Sequence, residues 1–328
     1  MKRVTACCTT AVLALGMISP SVSAYQEAIA APQRLCLYYG YPSYVNGSSG
    51  DVAAAAVQFN NCDVVVLGDG IQHAEHEENR PAAQIIAALN SAGKRVFGYV
   101  DLGVTTVNLD IATMQRYTDE WRALGAGGIF LDDAGYDYGV TRARQSAMVD
   151  YVHQLGMAVF VNAWNIDDVL ADVDELQRPS PSRLQAGDWY LAESWLVGGG
   201  AYMSLGEWAA KADKALGYAR ARGVRIAGVS TAAVNKAGAG DYKLNKFKMG
   251  WWGAAMYGLH AWQWTDSAYS SANDMLRFYD MSGSAYGSEF TAAGITHGSG
   301  MRVHTRTTNA GKITVQGDGV SKGTGFFR

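Results

Sequence analysis

The sequence has few residues arranged for metal or cofactor chemistry. Its 4 cysteines and 6 histidines form no C-x-x-C or H-E-x-x-H spacing, so nothing supports a metal site. No G-x-G-x-x-G follows the first apolar run, which argues against a dinucleotide site. Ser230-Thr231-Ala232, after the seventh run, is not a glycine-rich phosphate loop. We therefore predict no metal and no cofactor.

Runs of basic residues are also absent, and the net charge is −3. Nucleic-acid binding requires clustered Lys and Arg, so the composition does not support a nucleic-acid partner. The apolar stretch from Val12 to Ile18 is too short to span a bilayer. Because it follows a basic start and precedes Val22-Ser23-Ala24, it predicts a signal peptide over residues 1–24. We expect a secreted or periplasmic protein without a membrane span after signal removal, and leave the oligomeric state open.

Two cysteines remain once the predicted signal peptide is removed. Cys36 and Cys62 lie in or beside the first two predicted strands, which would be neighbours in a parallel sheet. Two cysteines in an exported chain favour one disulfide, and a pair of buried thiols is the alternative.

The remaining chain alternates short apolar runs with segments of helical spacing. The eight runs are Leu35–Tyr39, Asp63–Leu67, Arg95–Val100, Gly128–Leu131, Ala158–Val161, Trp189–Ala192, Val224–Val229 and Leu259–Trp262. Such alternation is typical of βαβ units, and eight units predict a (β/α)8 TIM-type barrel; a doubly wound sheet is the rival. We place the barrel at residues 25–283, closed by a helix over Ser271–Met281. Residues 284–328, rich in Gly, Thr and Ser, are expected to form a small β-rich or partly ordered extension.

The carboxyl ends of all strands in such a barrel face one mouth. The residues predicted there are Tyr38, Tyr39, Asp69, Tyr99, Asp101, Asp132, Asp133, Asn162, Trp164, Glu193, Trp195, Gln263 and Trp264. This ring of carboxylates and aromatics with almost no cation predicts a carbohydrate cleft, because carboxylates cleave glycosidic bonds and aromatic faces stack on sugars.

Asp132 and Glu193 are the predicted catalytic pair. Glycoside hydrolysis needs two carboxyl groups, one protonated at working pH and one ionised. These two residues end the fourth and sixth runs, which leaves room for a sugar between them. Asp133 is expected to point away from the barrel axis if the strand continues past Asp132. The structural alternatives are a helix cap for Asp132, a hydrogen-bonded rim residue for Glu193 and a turn residue for Asn162.

Three strand-end motifs resemble those of a known group. Gly-Ile-Phe-Leu-Asp-Asp (128–133), Val-Asn (161–162) and Ala-Glu-Ser (192–194) are similar to motifs of the spherulin-4-like glycoside hydrolases and the related endo-α-1,4-polygalactosaminidases. The resemblance implies a (β/α)8 enzyme that cuts an exopolysaccharide containing galactosamine or N-acetylgalactosamine, with Asp132, Asn162 and Glu193 as functional residues. The families often have Asp-Glu where this chain has Asp132-Asp133, and Asn-Pro where it has Asn162-Ala163.

Two functions are compatible with this sequence. The first is an exported endo-acting glycoside hydrolase whose negative mouth attracts a partly deacetylated, cationic polysaccharide. The second is a non-catalytic polysaccharide-binding barrel of a surface or matrix. The intact carboxylate pair favours the enzyme, because a binding module does not need it.

Overall fold

A computed structural model of the protein describes residues 25–68, 70–238, 240–267, 269, 273–279 and 285–328. The predicted signal peptide, residues 1–24, and Asp69 lie outside these ranges. Within them, no helix combines the length and the apolar content that crossing a membrane requires.

Eight parallel strands form a closed barrel. They are β1 (Gln33–Tyr38), β2 (Val64–Leu67), β3 (Arg95–Asp101), β4 (Gly128–Asp132), β5 (Ala158–Asn162), β6 (Trp189–Ala192), β7 (Arg225–Ala232) and β8 (Ala261–Asp266). The strands follow one another around the barrel in chain order, and β8 closes it by pairing with β1. The predicted (β/α)8 barrel is confirmed.

The interior of the barrel is a packed aromatic core. Phe97, Phe130, Phe160 and Trp189 all point inward, because side chains alternate along each strand. Their rings meet edge-on or tilted, with centroids 5.4 Å apart for Phe97–Phe160, 5.1 Å for Phe130–Phe160 and 5.8 Å for Phe160–Trp189. These rings leave no open channel through the barrel, so the polar chemistry is confined to the mouth above them.

Helices cover the outside of the barrel. They are α1 (Val52–Phe59), α2 (Asn79–Ser91), α3 (Ile111–Ala123), α4 (Arg142–Gln154), the single turn α5 (Asp167–Leu170), α6 (Leu205–Arg222) and α7 (Gly240–Tyr257). Side chains of Asp51, Asp110, Thr141 and Ser204 accept hydrogen bonds from the first-turn N–H groups of α1, α3, α4 and α6. In the long connection after β5, where the repeating unit predicts a full helix, the structure has the single turn α5.

The closing helix predicted over Ser271–Met281 is wrong for residues 273–279, which are not helical; the other residues of that segment lie outside the described ranges. The reason is that the backbone here bonds to the loop after β1. The N–H of Asn46 donates to the Asp274 carbonyl at 2.7 Å, and the N–H of Leu276 donates to Asn46 Oδ1 at 2.8 Å. These tertiary hydrogen bonds replace the ones that a helix would make.

The C-terminal segment is a small antiparallel sheet packed on the barrel. Its strands are β9 (Thr296–His297), β10 (Val303–Thr307), β11 (Lys312–Gly317) and β12 (Gly323–Phe327). The Phe327 ring stacks on Trp252 of α7, with centroids 6.3 Å apart. The fully buried Arg306 donates to Glu27 Oε2 at 2.8 Å and to the Met256 carbonyl at 3.1 Å, which joins the sheet to the N-terminal segment and to α7. The extension is β-rich; its predicted boundary near residue 284 lies outside the described residues.

Cys36 in β1 and Cys62 before β2 form a disulfide, with their Cα atoms 6.0 Å apart. This decides between the two alternatives left open by the sequence. Both residues are buried between the barrel and its outer layer.

Removing the disulfide in a Cys36→Ala/Cys62→Ala variant should lower the free energy of unfolding by about 3 kcal/mol. The disulfide links two residues 26 positions apart, and without this link the unfolded chain has more conformations available to it. Urea unfolding with and without dithiothreitol checks this. Reductant should shift the wild type towards the variant and leave the variant unchanged; equal midpoints for both proteins under all conditions would contradict it.

Candidate active site

Three consecutive strands carry the central polar group of the mouth. Asp132 ends β4, Asn162 ends β5, and Glu193 directly follows β6. The Asn162 side-chain nitrogen donates to Asp132 Oδ1 at 2.9 Å and to Glu193 Oε1 at 3.1 Å. Because one nitrogen contacts both carboxylates, the two bonded oxygens are at most about 6 Å apart, the combined length of the two hydrogen bonds. Asn162 therefore bridges the predicted pair.

The backbone turns sharply just after each carboxylate. Asp133 follows Asp132 with φ 52°, and Ser194 follows Glu193 with φ 51°. The left-handed region costs a residue other than glycine about 1–2 kcal/mol, and such strain collects at functional sites. Both turns end the extended run at the carboxylate, so each acid group stands at the floor of the mouth.

The electrostatic environment of the pair favours a shared proton. Burial and then the charge of Glu193 raise the pKa of Asp132 to about 6, against hydrogen bonds from Asn162, the Asp133 N–H and Tyr99. Burial also raises the pKa of Glu193, and the Asn162 hydrogen bond and the Lys211 charge oppose this. Two nearby carboxylates resist simultaneous ionisation, so protonation of one favours ionisation of the other.

A second acidic group lies on the β3 and β4 side of the pair. Asp101 Oδ1 accepts hydrogen bonds from the Gly103 N–H and the Thr106 hydroxyl, each at 2.7 Å. Burial and the charges of Asp132 and Asp101 raise the pKa of Asp133 to about 7, while Tyr138 hydrogen-bonds to it. The strand ends at Asp132, so the condition under which Asp133 would point away from the axis is not met. The left-handed turn at Asp133 leaves its carboxylate close enough to Asp132 and Asp101 for their charges to raise its pKa.

Three tyrosines border the pair. Ring centroids of Tyr39 lie 5.3 Å from Tyr99 and 5.6 Å from Tyr269. Burial followed by the Asp132 charge raises the pKa of Tyr39 and Tyr99, so these hydroxyls remain protonated donors. The Tyr269 hydroxyl is buried, and no described residue hydrogen-bonds to it. It is therefore available to a ligand or water in the mouth.

A pocket of about 360 Å³ adjoins Glu193 at the rim. Trp164, which follows β5, contributes a ring that is 46% exposed. The ammonium of Lys211, on α6, lies 3.2 Å from the centroid of this ring. The Trp164 face is thus covered by a cation on one side.

Two aromatic residues predicted for the mouth, Tyr38 and Trp264, point outward, so these two predictions are wrong. A third, Trp195, packs against the helices and also lines the pocket beside Glu193, so its predicted role stays a prediction. Tyr38 alternates with the inward-facing Leu37, and its hydroxyl donates to the Tyr41 carbonyl at 3.0 Å. Trp195 follows the left-handed Ser194 and packs between the helices. Trp264 lies inside β8 and donates to the Ala237 carbonyl at 3.0 Å.

Gln263 points into the barrel but supports its wall. Strand β8 extends to Asp266, beyond the predicted end at Trp262, so Gln263 lies within the strand. Its Oε1 accepts from the Leu37 N–H at 2.8 Å, and its Nε2 donates to the Leu37 carbonyl at 3.3 Å. These bonds join β8 to β1 beyond the two residue pairs that form the ladder between these strands. Gln263 thus has a structural role, and its predicted contact with substrate stays a prediction. Asp69, also predicted for the mouth, lies outside the described residues.

Sequence reasoning missed Tyr138, Lys211 and Tyr269. None of them ends a strand: Tyr138 lies in a short turn after β4, Lys211 on α6, and Tyr269 beyond β8. The repeated strand-end pattern that revealed the others contains no signal for them. In the described part of the chain, no group of three or more His, Cys, Asp or Glu side chains is arranged to hold a metal ion.

The chain matches no protein-family profile and no curated protein sequence. Similar solved structures include Eubacterium rectale Amy13B, with TM-score 0.50, 10% identity and coverage of 89% of this chain and 87% of that chain. A family 5 xyloglucanase from Paenibacillus pabuli has TM-score 0.47, 11% identity and coverage of 75% and 95%. Aspergillus clavatus Sph3 in complex with GalNAc has TM-score 0.44, 14% identity and coverage of 73% and 92%. Identities this low show the barrel fold alone, and the resemblance to spherulin-4-like enzymes stays a prediction.

Replacing Asp132 by Asn should stabilise the protein at pH 7.5. The raised pKa means that the folded state binds the Asp132 proton more tightly than the unfolded state, so stability falls as pH rises from about 4 to about 6. Removing the charge should raise the free energy of unfolding by about 1–3 kcal/mol at pH 7.5. Urea unfolding at pH 4 and pH 7.5 measures this. An Asn variant that is no more stable than wild type at pH 7.5 would show that the Asp132 charge does not lower the free energy of unfolding.

Proposed function

We propose that the protein is an exported endo-acting glycoside hydrolase that cleaves an amino-sugar polysaccharide through Asp132 and Glu193. The observation that carries this proposal is the Asn162 amide, which bonds both carboxylates at once. Asp132 and Glu193 are partly buried acids with raised pKa values, and the Asn162 bridge holds them side by side in the mouth. They supply the two carboxyl groups that glycoside hydrolysis requires. The disulfide supports export, since such bonds persist in oxidising compartments.

The spacing of the carboxylates supports a retaining mechanism. Retaining glycosidases have carboxyl groups about 5–5.5 Å apart, whereas inverting ones need about 6.5–9.5 Å to admit a water. The Asn162 bridge keeps one oxygen of each carboxyl within about 6 Å of the other, which is nearer to the retaining separation. One carboxylate is then close enough to attack the anomeric carbon itself.

The hydrogen-bond environment favours Asp132 as nucleophile and Glu193 as acid and base. Asp132 accepts from three donors, Asn162, Tyr99 and the Asp133 N–H, which oppose the pKa rise caused by burial. Once Glu193 carries the proton, its charge no longer raises the Asp132 pKa, and the three donors stabilise ionised Asp132. In the first step an Asp132 oxygen bonds to the anomeric carbon as the bond from that carbon to the glycosidic oxygen breaks. Glu193 gives its proton to the departing oxygen, which leaves as a hydroxyl of the released chain. In the second step Glu193 takes a proton from water, and the water oxygen displaces Asp132.

The charge of the mouth supports an amino-sugar substrate. Asp101 and Asp133 extend the negative charge of the pair toward β3, and the nearby Arg144 charge offsets part of it at Asp101. A protonated amine would lower the cost of this crowded charge. The resemblance of the strand-end motifs to enzymes acting on galactosamine-containing polymers points to the same class.

Asp132→Asn and Glu193→Gln should each lower the rate of polymer cleavage about 100- to 10,000-fold, because each keeps its volume and loses an acid or a nucleophile. The measurement is oligosaccharide release from galactosamine, glucosamine and neutral-hexose polymers. Asp119→Asn, an exposed carboxylate bonded to Tyr151 on the helical layer, is the matched control and should retain full activity.

Loss of activity in the control, or full activity in both site variants, contradicts the assignment. A wild type that binds one of these polymers but releases no oligosaccharide would favour the alternative, a non-catalytic polysaccharide-binding barrel. Circular dichroism of each variant confirms that the barrel remains folded.

A further inference from the structure

The end of the barrel opposite the mouth is closed by polar and aromatic side chains. The first inward-pointing residues of β1, β3, β6 and β7 are Gln33, Arg95, Trp189 and Arg225, because each stands two positions before an inward-pointing core residue. We call these four residues the floor cluster. Branched apolar side chains usually fill the interior of such barrels, so two arginines at this level depart from the usual filling.

Both guanidinium groups of the floor cluster lie against the same indole ring. The Arg95 Cζ atom is 5.9 Å from the centroid of the Trp189 ring, and the Arg225 Cζ atom is 5.3 Å from it. At these distances the ring attracts both cations and holds them near each other. Arg95 is exposed and Arg225 is half-buried, so a ligand can reach the pair from solvent.

Most hydrogen-bond donors of the floor cluster are unused. Arg95 Nη1 donates to Gln33 Oε1 at 3.4 Å, and Arg225 Nη1 donates to the Gly187 carbonyl at 3.4 Å. Both bonds are longer than the usual N–H···O distance of about 2.7–3.2 Å. In the described part of the chain, neither guanidinium has another hydrogen bond or a salt bridge, and the Gln33 amide nitrogen has no acceptor. Donors from three strands therefore remain for a ligand.

The acidic residues at this end of the barrel have other partners. Asp63 Oδ1 pairs with the Lys94 ammonium at 3.1 Å, and Asp63 Oδ2 accepts from a backbone N–H at 2.9 Å. The buried Asp188 carboxylate hydrogen-bonds to His153 at 3.0 Å and accepts from two backbone N–H groups. These carboxylates are thus held by groups outside the floor cluster.

The positive charge of the two arginines is only partly compensated. Burial and then the Arg95 charge lower the pKa of Arg225, and the Asp188 charge opposes this in part. His260, whose ring centroid lies 6.0 Å from that of Trp189, responds to the same charges. Partial burial, followed by the charges of Arg225 and Arg95, lowers the pKa of His260. An anion bound between the arginines would offset this repulsion.

We propose that the floor cluster is a binding site for a phosphate or sulfate group, held between Arg95 and Arg225 with the Gln33 amide as a neutral donor. Guanidinium forks match the oxygens of such groups. A tetrahedral oxyanion presents enough oxygens to accept from donors on several walls of the barrel, whereas a carboxylate has only a pair. Because the aromatic core separates this end from the mouth, the site does not depend on the proposed hydrolase activity.

Calorimetric titration with inorganic phosphate and with glycerol phosphate, at pH 7 and constant ionic strength, tests the site. The wild type should bind inorganic phosphate saturably, and Arg95→Gln and Arg225→Gln should each weaken binding by about 10-fold or more, because each removes charge-assisted hydrogen bonds. Arg116→Gln is the matched control and should keep the wild-type affinity, since Arg116 also lies over an aromatic ring but pairs with Glu120. Similar affinity for both probes identifies the phosphate of an ester as a ligand, and a preference for inorganic phosphate identifies the free ion.

The ring protons of His260 give a second readout that needs no arginine variant. Phosphate should raise the pKa of His260 in the wild type by about 0.5 or more, because the bound anion offsets the two guanidinium charges. Proton NMR at a series of pH values measures this, with the His260 signals assigned from the spectrum of His260→Gln.

The proposal is overturned if the wild type shows no saturable phosphate binding, or if phosphate leaves the His260 pKa unchanged. Binding that both arginine variants retain, or that Arg116→Gln loses equally, also overturns it. Circular dichroism confirms that each variant is folded, and for a variant that does not fold the wild-type His260 measurement decides.

Discussion

One side-chain amide sets the geometry of the whole site. The Asn162 nitrogen donates to Asp132 and to Glu193, so it fixes both carboxylates on one side of the mouth and limits their separation. The amide is neutral and cannot cancel their charge. Burial therefore raises the pKa of both acids, and the charge of Glu193 raises that of Asp132 further. The shared proton that results is the condition for acid and base roles in the same pair.

The barrel positions this amide through its strand register. In the parallel ladder Leu131 pairs with Val161, and Asn162 pairs with Leu191, so the ends of β4, β5 and β6 lie at one level. Below them, Phe130, Phe160 and Trp189 fill the interior and keep the polar groups at the surface of the core. The left-handed residues Asp133 and Ser194 then end the extended backbone of β4 and β6 directly after Asp132 and Glu193. Strained backbone and crowded charge both cost stability, a pattern expected where structure is adapted to chemistry.

The sequence predicts those features that follow from periodicity. Alternating apolar runs reveal the eight strands, and a polar residue after an apolar run reveals Asp132, Asn162 and Glu193, because parallel strand ends converge. The pattern fails where one residue of register matters, because Gln263 and Trp264 lie inside a strand that begins and ends later than predicted. It also does not show that Trp195, after the left-handed Ser194, packs against the helices. It is silent on Lys211 and Tyr269, which reach the mouth from a helix and from a loop. Their positions depend on tertiary packing that local sequence does not encode.

The stereochemistry of the first product tests the bridged pair most directly. Proton NMR recorded during cleavage shows the anomeric configuration of the newly formed reducing end before mutarotation. The Asn162 bridge holds one oxygen of each carboxyl within about 6 Å of the other, which favours the shorter carboxyl separation, so we predict that the configuration of the cleaved bond is retained. Inversion of that configuration would contradict the account, because it would show that the two carboxyl groups act at the wider separation.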